Sequence, residues 1–163
     1  MFFKKKKSDS PIEKLAESLI IFVQINKNKV LEKLSYDLIT LPNFKLTFEY
    51  ETFSIFIIDY CIKSKIKDPK LKDLILESFY SKWDTYFSDG QFRILKLKLD
   101  MYHHILKEYK DEPTIIQNFS FMFSRNVLKE VDLTLTSRLS EEYAPLKSAI
   151  EKLIDESKIN ESE

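Results

Sequence analysis

Residues 71–109, LKDLILESFYSKWDTYFSDGQFRILKLKLDMYHHILKEY, carry the pattern that decides the predicted fold. The first half of this stretch predicts an amphipathic helix that begins at Asp68-Pro69. An aspartate there accepts from the free N–H groups of the first turn, and a proline at the first helical position has no N–H to leave unpaired. The apolar residues of this helix fall within one half of a helical wheel: Leu71, Ile75, Leu76, Phe79, Trp83, Tyr86 and Phe87.

The second half of the stretch predicts a second helix after Gly90, the only glycine of the chain. Glycine adopts the positive φ that ends many helices, so Gly90 indicates a helix stop and a tight reversal. Beyond it, apolar residues recur at alternating steps of three and four: Phe92, Leu95, Leu99, Tyr102, Leu106 and Tyr109. Four more widen the apolar arc: Ile94, Leu97, Met101 and Ile105. We expect the hairpin from Asp68 to Lys110 to lie near the centre of the fold.

The N-terminal half of the chain predicts further helices. Ser10-Pro11-Ile12-Glu13 is a capping box with proline at the first helical position. The apolar stripe after it runs through Leu38, as one bent helix or as two. Residues 43–52 alternate apolar and polar side chains, which suits a strand. From Phe53 to Ile62 nearly every side chain is apolar, as in a central helix, and no partner strand is evident. We therefore predict a buried helix from about residue 47.

The C-terminal half is also predicted to be helical. Asp111-Glu112-Pro113 breaks the chain, and Thr114 to Gln117 forms a second capping box. The helix that follows extends along one face to Leu139, with a candidate irregularity at residues 132–137. Pro145 is expected to interrupt the helix, because the residue before a proline is disfavoured in the helical region. A short final helix follows.

These segments predict an all-α fold, a single-domain antiparallel bundle of six or seven helices. Residues 1–9 are expected to be a disordered basic tail, residues 10–157 the helical domain and residues 158–163 a frayed acidic tail. A chain of 163 residues is one domain by default, and its 22 aromatic residues indicate a large core. One glycine and five prolines argue against an all-β fold.

The charge balance disfavours a nucleic-acid partner, which would need a basic surface. The 26 basic and 26 acidic residues cancel, and without Lys4 to Lys7 the acidic residues are in excess. Cys61 is the only cysteine, which fits a reducing compartment. The first residues lack the apolar run of a secretory signal, and no stretch reaches the length of a membrane span. We expect a cytoplasmic protein.

The only histidine pair is the candidate metal site. Imidazoles and carboxylates bind divalent metals, and four such side chains cluster on the predicted second helix: Asp100, His103, His104 and Glu108. A di-iron bundle needs a further Glu-x-x-His pair on another helix, and the chain has no other histidine. The pattern favours surface histidines paired with nearby carboxylates. We predict no cofactor.

The N-terminal tail is the candidate membrane contact. Aromatic rings enter the interface of an anionic membrane surface while lysines meet its head groups. The tail supplies both: Phe2, Phe3, Lys4, Lys5, Lys6 and Lys7. So short a signal is also typical of a solvated tail, which is the interpretation we favour.

Other reactive or aromatic side chains are interpreted as structural. Cys61 lies in an apolar segment without a base beside it, so a buried thiol is favoured over a catalytic nucleophile. Arg125 is expected either to line a pocket between helices or to cover a rim with its stem. The aromatic residues at helical spacing from Phe79 to Phe123 are expected to form core, with a cavity for a small apolar ligand as the alternative.

No catalytic constellation and no cofactor-binding motif is found in the sequence. The leading hypothesis is a non-enzymatic protein-interaction or scaffold module, with a protein partner or self-association. Two alternatives stay open: peripheral membrane association through Phe2 to Lys7, and a helical bundle that binds a small ligand or a metal.

Overall fold

Six helices make up the described structure. The computed structural model describes residues 10–35, 43–84 and 88–159, and these residues contain no strand. The helices are α1 (Pro11–Ser35), α2 (Asn43–Lys65), α3 (Pro69–Asp84), α4 (Asp89–Glu108), α5 (Glu112–Leu128) and α6 (Leu133–Glu156). The predicted all-α bundle is confirmed. Residues 43–52 are helical, as the first turns of α2, and α1 is one continuous helix.

Helix α2 lies at the centre of the bundle. Four successive residues at its middle point in four directions, and each is 0 % exposed: Ile55, Phe56, Ile57 and Ile58. A helix that is apolar on every side has to be surrounded by protein, and α2 contacts all five other helices. Full burial of each such side chain contributes roughly 1.5–3 kcal/mol, so α2 is a large part of what stabilises the fold.

The other five helices surround α2 as an incomplete ring. Around this ring, α3 packs on α1, α1 on α6, α6 on α5, and α5 on α4. Helices α3 and α4 follow one another in the chain, but their described residues make little direct contact. The ring is therefore open between α3 and α4, with α2 at the bottom of the opening.

A cluster of aromatic rings joins α2 to three of its neighbours. Between ring centroids, Phe53 of α2 lies 5.8 Å from Tyr102 of α4, 6.3 Å from Phe119 of α5 and 6.5 Å from Tyr143 of α6. One turn later, Phe56 stacks on Tyr102 at 5.1 Å. Rings at such separations attract one another beyond the effect of burial. These aromatic side chains are therefore core, as the sequence favours.

The hairpin that the sequence places at the centre lies at the periphery instead. Helices α3 and α4 each pack on α2 and on a different neighbour, α1 for α3 and α5 for α4. The reason is the difference in solvent exposure between peripheral and central helices. A peripheral helix shows one face to water and has a clear amphipathic period, whereas a central helix shows none and has no such period. The clearest helical pattern in the sequence therefore marks the rim of the bundle.

Gly90 does not end α3, as the sequence predicts, but lies in the first turn of α4. No described glycine has a positive φ. Ser88 caps α4, because its hydroxyl accepts from the Gln91 N–H and the Gln91 side chain accepts from the Ser88 N–H at 3.0 Å. This pair is a capping box that satisfies two free N–H groups of the first turn. Residues 85–87, between the two helices, lie outside the described residues.

Short polar side chains set the starts of α1 and α5. The predicted capping box of α1 is confirmed: Ser10 Oγ accepts from the Glu13 N–H at 3.2 Å, and Glu13 accepts from the Ser10 N–H at 3.3 Å. The capping box predicted at Thr114 is wrong. Asp111 caps α5 by accepting from the Thr114 N–H at 3.0 Å, so the helix begins three residues earlier. A carboxylate at this position also favours the positive end of the helix dipole.

The irregularity predicted after α5 is a complete break between two helices. Lys129 ends α5 with a φ of 65°, in the left-handed region. Asp132 then caps α6 by accepting from the Leu135 N–H at 2.7 Å. Residues 129–132 therefore divide the long helix that the sequence suggests.

The break predicted at Pro145 is wrong, because α6 continues through this residue. Proline removes one backbone hydrogen bond from a helix. Tyr143 and Leu146, on either side of it, are both buried. Their packing stabilises the helical conformation on both sides of the proline. Of the predicted acidic tail, the last described residue, Ile159, is buried, and residues 160–163 lie outside the described residues.

The central position of α2 is tested by Phe53→Ala. We expect this substitution to lower the free energy of unfolding by about 3–5 kcal/mol, because it leaves a cavity among rings from three helices. Urea denaturation followed by circular dichroism measures this change. Phe44→Ala is the matched control: Phe44 is on the same helix and 71 % exposed, so its loss should change stability by less than about 0.5 kcal/mol. Equal effects of the two substitutions would contradict the central position of α2.

Candidate functional site

Helix α4 presents three different surfaces. One side is buried against α2 and includes Leu95 and Tyr102. A second side borders the opening between α3 and α4. A third side, next to α5, carries aliphatic side chains that are exposed to solvent. The second and third surfaces are the candidate functional sites, and two buried carboxylates of α2 position them.

Glu49 joins α4 and α5 to α2 from inside the fold. This residue is 1 % exposed. Its carboxylate accepts hydrogen bonds from Lys98, from the Tyr102 hydroxyl at 3.0 Å and from Asn126 Nδ2 at 2.7 Å. Burial, together with the Glu49 charge, raises the pKa of Tyr102 well above its usual value, so this hydroxyl stays a donor. A buried carboxylate needs such a complete set of partners, and this requirement fixes α4 and α5 on α2.

Asp59 holds a second polar cluster, at the bottom of the opening between α3 and α4. Its carboxylate is buried and lies 2.7 Å from Lys63 Nζ and 2.9 Å from His103 Nε2. Burial alone would raise the pKa of Asp59, but the neighbouring His103 and Lys63 outweigh it and lower this pKa. Tyr80 of α3 also hydrogen-bonds to Asp59, and burial followed by the Asp59 charge raises the pKa of Tyr80. Asp59 is therefore ionised and joins α2, α3 and α4.

The opening between α3 and α4 is a groove of about 550 Å³, which we call the α3–α4 groove. Its walls include Leu76 and Tyr80 from α3 and Phe92, Leu95, Leu99 and His103 from α4. Asp59 lies at its floor. Mostly apolar walls with a few polar groups gathered at one place are typical of small-molecule sites.

Aliphatic side chains lie in a line on the third surface of α4. Ile94 and Met101 are each 47 % exposed, and Leu97 is 66 % exposed. Steps of three and four residues put them on one side of the helix. A second groove of about 550 Å³ lies beside this line, between α4 and α5. We call the line and this groove together the α4–α5 face. Its other apolar residues are Ile105, Phe121, Met122 and Val131.

The α4–α5 face explains why the predicted apolar arc of this helix is so wide. In the sequence, Ile94, Leu97, Met101 and Ile105 belong to the same apolar arc as the residues that the structure buries on α4. The structure exposes the first three and leaves Ile105 half-buried. The apolar arc of α4 is therefore wider than its contact with the core, and the part outside this contact lies on the protein surface.

The structure does not bring the four residues of the predicted metal site together. His103 faces Asp59 in the α3–α4 groove. His104 is exposed and lies 3.0 Å from Glu108 Oε1, four residues later, which is the local pairing that the sequence favours. Asp100 lines the groove on the side of His103. Within residues 10–35, 43–84 and 88–159, no three ligand-type side chains are placed to hold a metal ion. The structure thus gives metal binding no support.

Cys61 is buried in the core. Burial, together with the charge of Glu151, raises the pKa of its thiol to about 12. A thiol that stays protonated at neutral pH is a poor nucleophile, so the structural interpretation of this cysteine holds. Arg125 lines the groove of the α4–α5 face, one of the two positions considered for it. The candidate membrane contact at Phe2 to Lys7 lies outside the described residues.

Glu49 and Asp59 are the residues of these sites that sequence reasoning missed. In the sequence, Asp59 is an interruption of the apolar run from Phe53 to Ile62, and Glu49 is one of the polar residues of the alternating stretch 43–52. A signal was nevertheless present, because a charged residue within a helix that is apolar all round must find a partner inside the fold. The partners themselves, Lys98 and His103, lie two helices further along the chain and could not be deduced from spacing.

Comparisons of this chain with protein-family models, with curated proteins and with solved structures found no match. Among the helices described above, none is both long and apolar enough to cross a membrane. The α3–α4 groove and the α4–α5 face are therefore the features that bear on function.

The Asp59 cluster is tested by the pH dependence of stability. Because folding lowers the pKa of Asp59, its ion pairs stabilise the fold above the unfolded-state pKa of about 3.9, and this stability is lost as the pH falls through the folded-state pKa. Asp59→Asn should cost about 1.5–3 kcal/mol at pH 7. Its difference from the wild type should begin to shrink below about pH 4 and should vanish once the pH is below the lowered folded-state pKa, where the wild-type carboxyl is protonated too.

Urea denaturation of both proteins across this pH range measures the difference. Asp73→Asn is the control, because Asp73 is an exposed aspartate of α3, and it should match the wild type at each pH. An Asp59→Asn protein as stable as the wild type at pH 7, or a difference that stays undiminished in acid, would show that the cluster does not stabilise the fold.

Proposed function

We propose that this protein is a non-enzymatic protein-interaction module, and that its α4–α5 face binds an amphipathic helix with acidic flanks on a partner protein. The observation that carries the proposal is the line of exposed Ile94, Leu97 and Met101 along one side of α4. We place this activity in the cytoplasm, because a single unpaired cysteine suits reducing conditions.

The apolar content of the face supports a docking role. Single exposed apolar residues are ordinary on a protein surface, but a continuous apolar patch marks an interaction site. Here the line on α4 continues into the groove at Met101 and Ile105, where Phe121 and Met122 of α5 form the other wall. A groove between two helices suits a third helix that inserts apolar residues at steps of three and four.

The two methionines favour a docking surface that adapts to its partner. Met101 and Met122 lie in the same groove, one from α4 and one from α5. Methionine is unbranched and polarisable, so its side chain fits irregular apolar surfaces at little cost, and it is common where proteins bind helices.

The charge of the groove indicates an acidic partner. Arg125 and Lys129 lie at its edge, both exposed, and no acidic side chain lines it among the described residues. Neither cation forms an ion pair in the described part of the chain. Complementary charge steers association and fixes the register of the partner. Two copies of this chain meeting face to face about a two-fold axis would instead bring these cations together, so a different protein is the better fit.

Three model peptides test the proposal. Each forms an amphipathic helix with the same leucine face, and their flanking residues are glutamate, glutamine or lysine. Fluorescence anisotropy measures binding to the protein. We expect the glutamate peptide to bind most tightly. Leu97→Glu should weaken this binding at least tenfold, since it puts a charge at the centre of the apolar line. Arg125→Glu should shift the preference toward the lysine peptide.

Leu74→Glu is the matched control, because Leu74 is an exposed leucine on α3, away from the α4–α5 face. It should bind the glutamate peptide as the wild type does. Three peptides that bind equally, or Leu97→Glu and Leu74→Glu proteins that bind alike, would overturn the proposal. The proposal would also be overturned if the protein bound none of the peptides and instead dimerised, or bound anionic vesicles, through this face.

A further inference from the structure

The α3–α4 groove is a separate feature from the α4–α5 face, because it lies on the other side of α4. Its apolar walls come from Leu76 on α3 and from Phe92, Leu95 and Leu99 on α4. No described residue closes it. Its volume of about 550 Å³ falls within the range that holds small molecules. Water in such a groove lies against apolar walls, and a ligand with an apolar body would gain by displacing it.

One polar atom in the groove has an unused hydrogen-bonding position. His103 Nε2 lies 2.9 Å from Asp59 Oδ2, and the imidazole ring packs edge-on against Phe56 at 5.2 Å between centroids. Its other ring nitrogen, Nδ1, has no hydrogen-bond partner among the described residues. The attraction of Asp59 for Nε2 and the contact with Phe56 keep the ring on this side of α4. The ligand should therefore carry one group that hydrogen-bonds to Nδ1.

The charges that line the groove cancel. Asp59 is paired with Lys63 on the same helix. On α4, the groove is lined by one further carboxylate, Asp100, and one further cation, Lys96, whose Nζ lies over the Phe92 ring at 4.8 Å from its centroid. A charged head group would lose its hydration without meeting a surplus of opposite charge, and this loss disfavours binding. An uncharged head group avoids it.

From the apolar walls, the available His103 nitrogen and the equal numbers of acidic residues and lysines, we propose that the α3–α4 groove binds a small uncharged amphiphile with one hydroxyl head, an alcohol or a phenol. The apolar body lies between Leu76 and Leu99, and the hydroxyl meets His103 Nδ1. A hydroxyl both donates and accepts, so it pairs with this nitrogen whether the imidazole is neutral or protonated. The site does not depend on the proposed docking of a helix at the α4–α5 face.

Three probes with the same eight-carbon chain test the proposal: octanol, octanoate and octylamine. Protein labelled at its methyl groups is titrated with each probe below its aggregation limit, and nuclear magnetic resonance follows the methyl signals. We expect octanol to give saturable shifts at Leu76, Leu95 and Leu99, with an affinity at least tenfold above that of either charged probe. The methyl signals of Ile94 and Leu97 on the α4–α5 face should stay unchanged.

Two variants and one matched control identify the binding residue. His103→Phe keeps a ring against Phe56 but removes both nitrogens, and it should weaken octanol binding by about two- to tenfold, the effect of one neutral hydrogen bond. Leu76→Trp fills the groove from α3 and should abolish the shifts. His104→Gln alters the neighbouring exposed histidine and should bind as the wild type does.

The proposal is wrong if octanol shifts no methyl group of the groove, or if a charged probe binds as tightly as octanol. It is also wrong if His103→Phe and His104→Gln bind octanol equally. Leu97→Glu should leave octanol binding intact, so failure of the docking proposal and failure of this one are separate results.

Discussion

A helix that is apolar on every side cannot face water, and this constraint on α2 decides the rest of the structure. The four successive side chains from Ile55 to Ile58 need cover in four directions, and five other helices supply it. If each helix is treated as a cylinder about 10 Å wide, about six parallel helices fit around a central one. Five neighbours therefore leave one place that no described helix fills. The α3–α4 groove is that place, and it follows from the number of helices.

The buried carboxylates of α2 determine which helices stand at the edges of this groove. Glu49 needs donors inside the fold and takes them from α4 and α5. Asp59 needs neighbouring cationic or polar groups as well, and it lies beside His103 of α4, Tyr80 of α3 and Lys63 of its own helix. Helix α4 is thereby fixed in rotation, with His103 turned toward the groove. This rotation leaves Leu97 and its neighbours on the outer side, so the same polar contacts position both proposed surfaces.

The sequence predicts the elements of this fold better than their arrangement. The Ser10 capping box and the mostly apolar run from Phe53 to Ile62 depend on neighbouring residues, and the structure contains both as predicted. The order of the helices around α2 depends on contacts between distant residues, which spacing does not encode. Pro145 shows the same limit: a local rule predicts a break, and tertiary packing on both sides of the proline prevails over it.

The candidate sites were predictable in part. His103 was singled out, but as a metal ligand beside His104, because both lie within one helical turn. The structure turns them to different partners, Asp59 and Glu108. The width of the apolar arc on α4 was visible as well, but a sequence does not say how much of an apolar arc the core needs. Only the position of the neighbouring helices shows that Ile94, Leu97 and Met101 are left outside.

Native-state amide hydrogen exchange tests the central position of α2 most directly. The account predicts that the slowest amides of the protein lie between Phe53 and Ile62 and exchange only through global unfolding. Amides of α3 and α4 beside the groove should exchange faster, through local opening. Slower exchange in α3 or α4 than in the middle of α2 would contradict the account.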